Sequence, residues 1–192
     1  MTSGSVELLV LGLGNPLLGD DGAGLLLLSE LWGRLPACGG FPGRPFAACR
    51  NAGQPSLPAS LDWGERVEFL DGGTQGLMLL GRVSRRPALL ILDAVSMGAA
   101  PGTVHVLRDM EALGLDSHHS RTAHEGNAAE LLAAALLLGE CPERFFVVGI
   151  EPANVNPGIG LSEPVRAALR PALSAARAIV EEVLAGVPAP VA

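Results

Sequence analysis

The sequence predicts an α/β fold: a single open, mostly parallel, doubly wound sheet of about five strands with helices on both faces. Three observations carry this expectation. Wholly apolar runs of about five or six residues recur along the chain, as in strands covered on both faces. Helical patterns stand between those runs, as in successive crossover units. The 192 residues are 48% hydrophobic and 17% charged, enough apolar material for the core of one domain.

The first strand is Val6–Leu11, closed by Gly12, and Gly14-Asn15-Pro16 makes the turn that follows. A helix is expected from about Asp20 to Leu35, with Asp20 and Asp21 favourable near its positive end. Residues 36–64 are rich in Gly and Pro and show no period, so they read as a long surface loop. Arg66–Leu70 is a second strand running into Asp71-Gly72-Gly73-Thr74, with a helix near 75–85. Ala88–Leu92 is a third strand ending at Asp93, and Gly102–Arg108, with Val104 and Val106 alternating, reads as an edge strand. An Ala/Leu helix from His124 stops at Gly139. Phe145–Ile150 is the last buried strand, and Ser162 caps a long amphipathic helix reaching about Leu184, with Pro164 in its first turn.

Composition excludes several functions. All 13 basic residues are Arg, so a Walker-A lysine, a pyridoxal Schiff base and a lysine general base are all absent. A net charge of −7 disfavours nucleic acid as a partner. Cys38, Cys49 and Cys141 are odd in number and form no C-x-x-C pair, which fits a reducing cytoplasm better than a disulfide framework. The apolar stretch from Val6 is interrupted too soon for a membrane span or export signal. Acidic charge and modest size suit a monomer.

In a doubly wound sheet, ligands bind beyond the carboxyl ends of the strands, where strand order reverses. Asp20 and Asp21 follow the first strand, Asp71 ends the second and Asp93 the third; His124 opens the helix that returns along the same rim. Carboxylates with one imidazole would suit a hard or borderline divalent ion. Plainer readings stand beside this one. Either Asp20 or Asp21 can serve the helix dipole, and Asp71 before Gly-Gly can make an Asx turn. His105, His118 and His119 read as structural. Asp93, after five apolar residues, is hardest to treat as incidental, because a carboxylate there is costly unless paired or ligating. Gly12-x-Gly14-x-x-Leu17 lacks the third glycine of a dinucleotide fingerprint, and two acids stand where a pyrophosphate would dock. Neither a G-x-S-x-G elbow nor H-E-x-x-H is present.

Leu11-Gly12-Leu13-Gly14-Asn15-Pro16-Leu17-Leu18-Gly19-Asp20-Asp21-Gly22-Ala23-Gly24 resembles the opening motif of the nickel-iron hydrogenase maturation endopeptidases. Leu70-Asp71-Gly72-Gly73-Thr74, Leu92-Asp93-Ala94-Val95 with Pro101-Gly102-Thr103, His124 with Gly126, and Val148-Gly149-Ile150-Glu151-Pro152 with Gly160-Leu161-Ser162 resemble that family's later blocks, in order, from about Val6 to Arg177. The resemblance implies an aspartic-type endopeptidase that removes a C-terminal extension from the hydrogenase large-subunit precursor after nickel insertion. It also implies that Asp21, Asp93 and His124 contact nickel brought by that substrate, and makes Asp71 the candidate for activating water or positioning the scissile segment. The family's first ligand position is usually Glu and here is Asp21. Two other readings use the same cleft: a non-hydrolytic nickel carrier or assembly chaperone, and a nucleotide-binding doubly wound enzyme.

Overall fold

The computed structural model describes residues 6–33, 63–109 and 128–186. Most of the loop expected at 36–64, together with Cys38, Cys49, His118, His119 and His124, lies outside the described residues.

The described residues form one five-stranded sheet. Its strands are β1 (Leu8–Leu13), β2 (Val67–Gly73), β3 (Ala88–Ala94), β4 (Val104–Arg108) and β5 (Arg144–Ile150). The helices are α1 (Ala23–Trp32), the single turn α2 (Leu80–Val83), α3 (Ala128–Leu137) and α4 (Glu163–Leu184). Strand order is β2-β1-β3-β5-β4, with β1, β2, β3 and β5 parallel and β4 antiparallel on the edge. This is the mostly parallel architecture expected from the apolar runs.

Strand alternation sends side chains to two cores. Leu8 and Val10, with Leu90 and Leu92, pack under α1 and α4, while Leu9 and Leu11, with Leu89 and Ile91, pack under α2 and α3. All eight are fully excluded from solvent, which is why these strands read as continuous apolar runs rather than alternating ones. Among the described residues, no helix is long and apolar enough to cross a membrane.

The helix expected from Asp20 begins later. Gly19–Gly22 is a 3-10 turn, and α1 starts at Ala23 and ends at Trp32, where Gly33 adopts a left-handed conformation at the C-cap. The helix expected near 75–85 is a 3-10 turn, Gly76–Leu79, followed by α2. Gly76 has φ +51° at its start, and the chain leaves the helical region at Ser84. Ser162 does precede α4, but its hydroxyl makes no capping bond; it donates instead to the Asp20 carboxylate at 2.8 Å, a charged and therefore stronger acceptor.

Candidate active site at the carboxyl edge of the sheet

The chain runs from β1 to β2 on one side and then returns to β3 on the other side of β1. Strand order therefore reverses between β1 and β3. The crevice beyond their carboxyl ends is the position a doubly wound sheet offers a ligand. Its two walls are the loop after β1, which carries Asp21, and the end of β3, which carries Asp93.

Glycine makes the first wall possible. Gly14 has φ +121°, and a Cβ there would lie 1.9 Å from the Asp21 carbonyl oxygen, so the loop folds back on itself only without a side chain. Asn15 closes the turn by accepting the Leu17 amide at 3.0 Å, and its own amide donates to Oδ2 of Asp21. The following 3-10 turn packs against β3. Gly24, at the start of α1, seats that helix on the crevice: a Cβ there would lie 2.3 Å from the Leu92 carbonyl oxygen and 2.4 Å from that of Leu13. Asp21 and Asp93 are both buried, each 4% exposed. Asp93 Oδ1 accepts the Ala94 amide at 2.8 Å. Backbone donors thus hold both carboxylates at the switch point.

Asp71 differs. It pairs in register with Gly12, is exposed, and accepts the Gly73 amide on Oδ1 at 3.0 Å, which is the Asx turn weighed from sequence. Alternation also separates it from Asp93: it follows Val67 and Phe69 on the α1 and α4 face, whereas Asp93 follows Leu89 and Ile91 on the other. His124 lies outside the described residues, among which no group of three or more His, Cys, Asp or Glu is gathered to hold a metal ion.

Two further carboxylates build this edge. Asp20 is buried and accepts the amides of Ala153, Asn154 and Ser162 at 2.8, 2.9 and 2.6 Å as well as the Ser162 hydroxyl. It is committed not to the start of α1 but to Ser162, which precedes α4, and it ties the loop after β5 to the loop after β1. Glu151, also buried, accepts the Met97 and Gly98 amides, at 2.9 and 3.0 Å, and lies 2.9 Å from Nε2 of His105. It anchors the loop that follows Asp93. Sequence reading assigned neither role. The signal available was Glu151 directly after the apolar run of β5, the same pattern that singled out Asp93. His105, expected to be structural, is structural.

Cys141 is half-buried between α3 and β5. Burial first, and the charge of Asp109 second, raise its pKa, which is opposite to what a thiolate nucleophile requires.

A family model described as hydrogenase maturation protease matches residues 55–179. The chain is 35% identical to the hydrogenase 2 maturation protease of Escherichia coli (strain K12), over 92% of both proteins. It is 34% identical to the hydrogenase expression/formation protein HupM of Azotobacter chroococcum mcd 1, over 95% of this chain and 75% of that one. Among solved structures it resembles the hydrogenase maturating endopeptidase HybD from E. coli, with TM-score 0.68 and 33% identity over 92% of this chain and 93% of that one. A hydrogenase 2 maturation peptidase from a Thaumarchaeota archaeon superposes with TM-score 0.56 at 26% identity, over 91% of this chain and 98% of that one. The family model covers about two thirds of the chain and the full-length relatives over nine tenths of it, and the chain belongs to the hydrogenase maturation protease family, whose members hydrolyse peptide bonds.

Proposed function

We propose that this chain removes the C-terminal extension of a nickel-iron hydrogenase large-subunit precursor in the cytoplasm, and that Asp21, Asp93 and His124 read the nickel which that substrate carries. The observation that carries the reading is the pair of buried carboxylates, one from the turn that follows β1 and one from the end of β3, at the edge where strand order reverses. Buried carboxylates are costly unless something charged or hydrogen-bonding meets them. Amides of Asn15 and Ala94 donate to them, and such backbone donors fix a carboxylate's position. Oxygen and imidazole donors suit a divalent transition ion.

Nickel in this account is part of the substrate. A loaded precursor gains ligand bonds to the protease that an unloaded one lacks, so its scissile segment is held in register while the empty precursor is not. Hydrolysis then adds water to the peptide carbonyl carbon, breaks the carbon–nitrogen bond and delivers a proton to the leaving amine. We assign Asp71 the task of activating that water or holding the scissile segment. Its exposure leaves it accessible to a polypeptide, and its Asx turn fixes its position at the rim. Mixing the protein with nickel-loaded and nickel-free precursor and following mass by spectrometry tests the reading. Tail release from the loaded form alone is expected; persistent binding without release would favour the carrier.

A further inference from the structure

Buried apolar residues need no explanation, but several apolar side chains stand exposed at the carboxyl edge: Leu77 at 54% and Met78 at 84% in the turn after β2, and Leu17 at 44%, Met97 at 41% and Ile159 at 81% in the loops after β1, β3 and β5. The loops of the last three do not leave them exposed for want of structure. Leu17 and Ile159 flank a parallel bridge between Leu18 and Gly158, in which Gly158 donates to the Leu17 carbonyl and Gly19 to that of Gly158, both at 2.9 Å. Asp20 fixes the same loop pair with four hydrogen bonds. Met97 is held through its own amide on Glu151. Two buried carboxylates outside the proposed nickel-reading set thus hold apolar side chains facing water, at the edge that carries Asp21 and Asp93. Apolar side chains grouped on the loops of one edge, in an ordered framework, offer a surface for contact.

We propose that Leu17, Met97 and Ile159 form a preset ledge that seats an apolar stretch of the precursor polypeptide beside the scissile bond. This rests on the protease reading above, because that reading brings a polypeptide to this edge. Charge defines the occupant further. The protein carries a net −7, and Asp71 stands exposed on the same rim, so an acidic stretch is repelled and a neutral or basic one accepted. A rigid ledge also spares the ordering cost that a mobile loop would incur on binding.

Steady-state processing of nickel-loaded precursor by the full chain tests this, with Met97→Asp/Ile159→Asp as the variant. Both side chains are exposed, so its thermal midpoint should stay within a few degrees of the parent. KM should rise about tenfold or more, each tenfold being about 1.4 kcal/mol, while kcat changes by a smaller factor; Ile159→Ala should give a several-fold rise. Leu137→Asp alters an equally exposed residue at the end of α3, on the opposite edge, and should leave KM unchanged. Normal processing by the parent with an unchanged KM in the double variant overturns the ledge and leaves the protease reading standing. A parent that fails to process the loaded precursor overturns both. Self-association of the parent, abolished in the double variant without a change in KM, assigns the ledge to a second copy and overturns the proposal.

Discussion

Replacing Asp20 by alanine should be among the most damaging single changes at this edge. Its carboxylate is 1% exposed and accepts three backbone amides and one hydroxyl. Alanine leaves Ala153, Asn154 and Ser162 with orphaned N–H groups and opens space where the carboxylate stood. Each unsatisfied buried donor costs about 1–3 kcal/mol, and water entering the space recovers part of that. A net loss of about 3–5 kcal/mol follows, which for a chain of this size lowers the melting temperature by roughly 10 °C or more. Urea titration by circular dichroism reads the stability change, and calorimetry the midpoint. Asp20→Asn should be milder, since one oxygen remains to accept while its amide opposes the other donors. A loss below about 1 kcal/mol in the alanine variant would refute the clamp and return Asp20 to the helix-dipole role weighed from the sequence.

The remaining expectations are briefer. Gly24→Ala drives a Cβ into two backbone carbonyls, at 2.3 and 2.4 Å, and should cost about 3 kcal/mol or more, seen as a lowered urea midpoint or insoluble expression. Glu182 has its pKa lowered by Arg108, its main partner, and by Arg144, with bonds of 2.8 and 2.6 Å. A lowered folded-state pKa means that its stabilisation is complete above the ordinary glutamate value and vanishes as pH falls through the folded one. Glu182→Gln should therefore lower stability by about 1 kcal/mol at pH 7, with the gap to the parent closing below about pH 4, as read by urea midpoints across pH. Asp71→Asn should retain precursor binding while slowing tail release; weakened binding at an unchanged rate would make Asp71 a turn residue only.

The strands were legible because burial on both faces writes itself as unbroken apolar runs, and Asp93 was legible because a carboxylate breaks such a run at its end. Short-range geometry was harder to read. Acids at 20 and 21 resemble a helix N-terminus and predict an earlier start than Ala23 for α1, whereas Asp20 is committed to amides more than 130 positions away. Ser162 reads as a side-chain cap for the same reason: the carboxylate that takes its hydroxyl is not local. Pro171 lies inside α4 without ending it; the position is exposed, so water can satisfy the carbonyl that loses its partner. The roles of Asp21 and Asp93 come from family motifs, and the fold supplies what motifs lack, namely that strand order reverses between β1, whose following loop carries Asp21, and β3, which carries Asp93.

The central claim is that Asp21 and Asp93 sense the substrate's nickel. Affinity of the parent, Asp21→Asn and Asp93→Asn for nickel-loaded and nickel-free precursor, measured by calorimetry, tests it most directly. The account predicts tight binding of the loaded form by the parent and, in both variants, affinity reduced to that shown for the nickel-free form. Equal affinity of the parent for both forms, or variants that still distinguish them, would contradict it.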